Sequence, residues 1–141
     1  MGRYARAATV VRRFIERINA HDVDGIVAML APDHRFVDSL GNVFEGREAL
    51  RTGWAGYLRM VPDYAIEPER VMEDGDAVLL VGHARGTWTH DGQLRADDAW
   101  RTPAAWMARV HRGLVAEWHV YADNEPIRQR MRQRQGIGAG E

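Results

Sequence analysis

The hydrophobic period of this chain changes at Tyr64, and that change restricts the fold more than any other feature. Before it, apolar residues recur at helical spacing. Val10, Val11, Phe14, Ile15 and Ile18 fall on one face with Arg12, Arg13, Glu16 and Arg17 between them, the pattern of an amphipathic helix of about four turns. Asn19-Ala20-His21-Asp22 breaks it. Asp22 can cap a second helix carrying Val23, Ile26, Val27 and Leu30, which Pro32-Asp33 stops. A short strand is expected at Arg35–Asp38 and a turn at Ser39–Asn42. Gly46-Arg47-Glu48 opens a third helix, with Leu50, Trp54, Tyr57, Leu58 and Val61 on one face, and Pro62-Asp63 ends it.

From Tyr64 onward side chains alternate with the period of a strand. Tyr64–Glu73 and Ala77–Thr89 read as strands joined at the turn Glu73-Asp74-Gly75-Asp76. Thr102–Val110 and Leu114–Tyr121 read as two more, joined at His111-Arg112-Gly113. The polar run Arg95–Arg101 reads as a loop or a ragged strand start. Asp123-Asn124 caps a short final helix, Glu125–Arg134, with Pro126 in its first turn where a missing N–H costs nothing. Helices followed by antiparallel strands make an α+β fold, with the helices on one face of a curved antiparallel sheet. Residues 1–135 are expected to form a single domain and 136–141 a flexible C-terminal tail.

Composition narrows the chemistry. The chain has 141 residues, enough for one core. It has no cysteine, so disulfides, thiolate nucleophiles and cysteine-held metals are excluded. A formal charge of −1 gives no field toward nucleic acid or an anionic membrane. No apolar run approaches the roughly 20 residues of a membrane span, so a cytoplasmic domain is expected. The six histidines do not pair at i, i+3 or i+4 on a helix, and no metal site or cofactor is expected. His83 and His119 are placed mid-strand on the convex face. The alternating arginines Arg128, Arg130, Arg132 and Arg134 read as a solvated helix end. Phosphate-cradling loops, nucleophile elbows and dinucleotide fingerprints are missing from the sequence.

The site is read from alternation. On the strand Ala77–Thr89, the set Val78, Leu80, Gly82, Ala84, Gly86 and Trp88 is small in its middle, which would leave room over the sheet. Ala104, Trp106 and Ala108, then Trp118, Val120 and Ala122, are placed on the same concave face. Phe14, Ile18, Trp54 and Tyr57 would close a cone from the helices. Asp38 is the clearest ionisable group of that aromatic hollow. Two readings of it stand open: Asp-Ser-Leu-Gly is good turn chemistry, with Asp first and Gly last, or the carboxylate faces the hollow, where burial would make it a stronger base. Asp123 reads as a helix cap before it reads as a second acid.

The run "RRFIERINAHDVDGIVAMLAPDHRFVDSLGNVFEGREALRTGW" resembles the N-terminal half of the NTF2-like superfamily, in particular its SnoaL-like and ketosteroid-isomerase-like members. The resemblance rests on the break at His21-Asp22, the apolar run closing on Asp38, Gly41, and Gly46-Arg47-Glu48. It extends to Gly75-Asp76, Gly113, Glu117-Trp118 and the exit Tyr121-Ala122-Asp123-Asn124. It implies a cone-shaped fold, with a curved antiparallel sheet wrapped around three N-terminal helices and a short C-terminal helix. It further implies Asp38 as a general base, and a homodimer through the convex sheet with Val81, His83, Arg85, His119 and Tyr121 contributing. The hydrogen-bond donors that isomerases need at the enolate oxygen fall at Phe14 and Trp106, neither of which is an acid, and the cyclase acid/base position falls at Val120. Two functions follow as expectations. One is a cofactor-independent enzyme that isomerises, cyclises or dehydrates a hydrophobic cyclic, terpenoid or polyketide-like molecule, with Asp38 catalytic and Phe14, Trp54, Tyr57, Trp88, Trp106 and Trp118 lining the pocket. The other is a ligand-binding or accessory protein without chemistry.

Overall fold

The structure, a computed structural model, describes the backbone of residues 4–139 and the side chains of 4–133. The helical half gives α1 (Ala7–Asn19), α2 (Val23–Ala28) and α3 (Arg47–Met60); the strands are β1 (Leu30–Val37), β2 (Val43–Glu45), β3 (Ala65–Asp74), β4 (Ala77–Thr87), β5 (Ala99–His111) and β6 (Leu114–Ala122). A last helix, α4, spans Glu125–Ala139. The strands form one sheet in the order β2-β1-β6-β5-β4-β3. From β3 to β6 every neighbour is antiparallel, as the alternating sequence requires. The curved antiparallel sheet expected from the sequence is present with one mixed seam, where β1 runs parallel to β6.

Helix α1 buries the stripe read from its spacing: Val10, Val11, Phe14, Ile15 and Ile18. Its C-terminus is pinned to the edge strand. The Asn19 amide donates to the Ile66 carbonyl at 2.9 Å and its oxygen accepts the Ile66 N–H at 2.8 Å. Asp22 caps α2 by accepting the Gly25 N–H at 2.9 Å, which satisfies one of the donors a helix start leaves bare.

Four boundaries differ from the sequence reading. Leu30 belongs to β1, which starts well before Arg35. Pro32 and Asp33 are exposed, the pairing with β6 slips between Leu30 and Arg35, and the His34 ring fills the slip, its Nδ1 donating to the Val115 carbonyl at 2.7 Å. Pro32 has no N–H to lose, so the strand tolerates it at such an irregularity. The segment after Asp38 is a hairpin, with Val43–Glu45 pairing back on Arg35–Val37. The polar run before Thr102 contains a 3-10 turn at Ala96–Asp98 and then joins β5 at Ala99. Finally, α4 runs to Ala139, past the start of the expected tail at 136; Gly140 and Glu141 lie outside the described residues, as does the side chain of Arg134.

The glycines of β4 serve the curl of the sheet instead of opening space above it. A Cβ on Gly82 would sit 2.1 Å from the Glu67 main-chain oxygen, where β3 slips register between Pro68 and Arg70. A Cβ on Gly86 would sit 2.3 Å from Val61 Cγ1 and 3.2 Å from the Trp100 ring. The room read over these residues is therefore filled, at Gly82 by the neighbouring backbone and at Gly86 by side chains. The core between helices and sheet is close-packed: Phe14 meets Trp118 edge-on at 5.1 Å, and Trp118 stacks on Trp106 at 6.5 Å.

Candidate functional site

Strands β1, β4 and β6 end, and β3 and β5 begin, at one end of the molecule. That end is the mouth of the cone. Most inward side chains are buried, yet Phe36, Tyr57, Trp100, Val120 and Ala122 pack on the core while staying half-exposed. The rings of Phe36, Tyr57 and Trp100 are linked through the buried Trp54 and Tyr64. Phe36 lies 6.2 Å from Trp54, Trp54 6.5 Å from Tyr64, and Tyr64 6.2 Å from Trp100, with Tyr57 edge-on to Tyr64 at 5.1 Å. Edge-to-face and tilted contacts at these distances are attractive beyond the area they bury. Burial pushes the Tyr57 and Tyr64 phenols above their ordinary titration range, Tyr64 the more so because Tyr57 lies beside it. Both therefore remain O–H donors at neutral pH.

Asp38 stands at the rim. It follows the last residue of β1 in the register of His34 and Phe36, the inward set, and is half-buried. Its carboxylate is committed to its own loop: Oδ1 accepts the Leu40 and Asn42 N–H groups, both at 2.9 Å, and Oδ2 accepts the Asn42 side-chain amide at 3.0 Å. Gly41, at φ +85°, completes the turn, a conformation that glycine adopts without strain. Asp38 thus organises the β1–β2 loop.

The six aromatics expected to line a hollow fall into three places. Trp54 and Tyr57 join the series at the mouth. Phe14, Trp106 and Trp118 stack with one another deeper in the core. Trp88 lies just past β4, where its main-chain N–H donates to the Asp98 carbonyl at 3.2 Å and its ring faces His90 at 5.8 Å. Shallow depressions adjoin the mouth: one of about 680 Å³ is lined by Val81, Gly82, His83, Ala104, Tyr121, Ala122 and neighbours, and one of about 360 Å³ by Asp63, Arg85, Thr87, Trp100 and Arg101 among others, so the mouth residues Ala122 and Trp100 belong to their walls. None of the six lines either of them. Sequence reading left out Tyr64, taken as a strand start, and Trp100, placed in a polar run. The signal for Trp100 was its even spacing from Trp106, which puts both on one face of β5.

Helix α4 crosses the mouth on polar contacts. Ser39 Oγ accepts from the Asn124 amide at 3.2 Å and from Arg128 at 2.9 Å. On the other side Arg130 reaches the Asp98 carboxylate at 3.4 Å and the Asp97 carbonyl. Asp123 takes the capping role, accepting the Glu125 N–H at 3.1 Å.

The convex face is a lattice of ion pairs with apolar gaps. Glu117 accepts from His119 at 2.9 Å, Arg35 at 3.0 Å and Arg109 at 3.4 Å. Burial opposes its charge, and these donors together hold its carboxyl below the usual range. Arg101 and Arg85 likewise lower Glu67. Leu79, Met72 and Tyr121 are exposed between them, at 41%, 50% and 55%. Among the described residues no group of three or more His, Asp or Glu is placed to hold a metal ion, and no helix is long and apolar enough to cross a membrane.

The profile of the SnoaL-like domain matches residues 11–118, from the middle of α1 to the stacked Trp118. The chain belongs to the SnoaL-like family. Solved structures agree on the fold. A candidate SnoaL-like polyketide cyclase from Shewanella denitrificans OS-217 superposes with a TM-score of 0.77 at 12% identity, over 90% of this chain and 97% of that one. A candidate polyketide cyclase from Xanthomonas campestris pv. campestris gives 0.75 at 21% identity, over 86% and 93%. A protein of ketosteroid isomerase-like fold from Catenulispora acidiphila DSM 44928, solved in complex with trimethylamine, gives 0.70 at 18%, over 79% and 83%. No curated protein matches the sequence. At these identities the superpositions speak for the SnoaL-like architecture and leave the chemistry to the residues.

Proposed function

We propose that this SnoaL-like domain binds a small, hydrophobic, cyclic molecule at the mouth of its cone. One observation carries the reading: Phe36, Tyr57, Trp100, Val120 and Ala122, from four elements, pack against the core and stay half-exposed, leaving an apolar surface that the core covers only in part. Terpenoid and polyketide-like ring systems match such a surface in shape and polarity. A second reading adds chemistry. Asp38 shares the inward register with Phe36, so a ligand against these rings lies within its reach, and the carboxylate would take a proton during isomerisation, cyclisation or dehydration. Its three loop hydrogen bonds and the aromatic residues Phe14 and Trp106 at the usual enolate-stabilising places favour binding without turnover.

Tryptophan-fluorescence titration with steroids, terpenoids and aromatic polyketides tests the binding reading, which fails if none of them binds. The variant Asp38→Asn then separates the two readings. Loss of turnover with binding retained marks a base, whereas conversion of no ligand by the wild type marks a binding protein. We further propose a homodimer through the convex sheet, in which Val81, His83, Arg85, His119 and Tyr121 meet their copies. The exposed Leu79, Met72 and Tyr121 support it. Sedimentation of Leu79→Arg against wild type checks it, the variant sedimenting as a monomer.

A further inference from the structure

Helix α4 is anchored on two flanks, and among its described residues only the arc between the anchors is covered. At about 100° per residue, Arg128 and the preceding Asn124 fall on one flank, where both donate to Ser39 Oγ in the β1–β2 loop. Arg130 falls on the other and reaches the Asp98 carboxylate and the Asp97 carbonyl in the 3-10 turn before β5. Ile127 and Met131 lie in the shorter arc between these flanks, one turn apart. Both are half-buried, as are Asn124 and Arg128. Glu125, Pro126, Gln129, Arg132 and Gln133 occupy the longer arc, and all five are exposed.

Ile127 and Met131 therefore face the gap between the β1–β2 loop and the 3-10 turn. That gap is the mouth, since Ser39 follows Asp38 at the rim and Asp98 stands just ahead of Trp100 on β5. Helix α1 is held by a stripe of fully buried residues, whereas none of the described side chains of α4 is fully buried. Its ties to the body are polar, and ion pairs with an exposed partner hold weakly and are screened by salt. Other pairs stay inside the helix: Glu125 accepts from Arg132 at 2.7 Å and lies 3.7 Å from Arg128. A helix with its own ion pairs, polar ties on both flanks and one apolar turn over an apolar opening is built to lift and close as a unit. Covers of this kind set the rates at which ligands enter and leave.

We propose that α4 is a lid over the bound molecule, with Ile127 and Met131 as its contact residues and Arg128 and Arg130 as its latches. The proposal rests on the mouth being a binding site and adds a wall and a gate to it. Nile red, an uncharged aromatic dye, is the probe, titrated against the intact protein by fluorescence. Ile127→Ala with Met131→Ala weakens its binding about tenfold, the size expected when apolar contacts are lost. Gln129→Ala with Gln133→Ala, on the exposed arc, leaves it unchanged. In stopped flow, Arg128→Gln with Arg130→Gln quickens both association and dissociation about fivefold, and about 0.5 M NaCl does the same to wild type and little to that variant. The chain has no cysteine, so Gln93→Cys and Gln133→Cys carry a pair of spin labels whose separation reads the lid directly. One distance is expected at low salt, and a second, longer one at high salt or with the arginines replaced. Equal weakening by the two alanine pairs overturns the lid contacts. Rates and distances that ignore both salt and the arginine substitutions overturn the gate. Either result leaves the binding reading standing. If Nile red does not bind, or binds as well to Phe36→Ala, that reading falls and the lid with it.

Discussion

Gly82→Ala isolates the device that curls the sheet. The added Cβ would lie 2.1 Å from the Glu67 carbonyl oxygen and 3.0 Å from both Glu67 C and Glu69 N, all main-chain atoms. Ordinary contacts are roughly 3.5 Å, so β3 would have to retreat by about 1 Å or more at the place where its register slips. No side-chain rotation relieves a clash with backbone. Forcing extra volume into a packed site costs about 1–3 kcal/mol, and this case belongs at the upper end. Replacing glycine returns about 0.4–1 kcal/mol by restricting the unfolded chain. The net is about 2 kcal/mol of destabilisation, or roughly 4–8 °C in Tm at about 2–4 °C per kcal/mol. Gly53→Ala is the matched control. Gly53 is exposed in the middle of α3 with no atom within 4 Å of its notional Cβ, so alanine there adds about 0.5–1 kcal/mol of stability. Urea and thermal unfolding followed by circular dichroism measure both. A Gly82→Ala protein as stable as wild type would refute the account of the curl.

Three further outcomes follow from contacts already described. Asn19→Ala leaves the Ile66 N–H and carbonyl without their clamp and lowers unfolding stability by about 1–3 kcal/mol in urea. Asp38→Ala removes the acceptor of three loop hydrogen bonds; it costs about 1–2 kcal/mol, and hydrogen exchange at Leu40 and Asn42 quickens. Burial holds the His34 imidazole below its ordinary value, so the unfolded chain takes that proton first as pH falls. Wild-type stability attributable to His34 is present above about pH 6.5 and is lost progressively below it. The pH dependence of unfolding in His34→Gln is shallower by that contribution.

Local pattern carried much of this fold. The stripe Val10, Val11, Phe14, Ile15 and Ile18 is a helix face by spacing alone, and β3 to β6 follow from alternation and turn glycines. What spacing could not express is proximity between distant segments. The start of β1 was hidden because Pro32 reads as a stop, and only the docking of β6 and the His34 ring makes a strand there viable. Gly82 and Gly86 read as empty space, since a missing side chain looks the same whether it makes room for a ligand or for Glu67 and Val61. The candidate site was half legible. Asp38, Trp54 and Tyr57 carry their own signals, but Tyr64 and Trp100 come together only through a β5 whose first residues look like a loop.

The parallel seam between β1 and β6 has a temporal consequence. Leu30 pairs with Val115 and Phe36 with Trp118, so the edge bearing Asp38 has no sheet to join until the far end of the chain has been made. A growing polypeptide can zip β3 to β5 by neighbouring hairpins, but the first strand must wait, held only by its helices and β2. Closing so large a loop is slow relative to local pairing, and an unpaired strand edge in the interval is open to the wrong neighbours. The rim of the cone thus cannot close before β6 has been made.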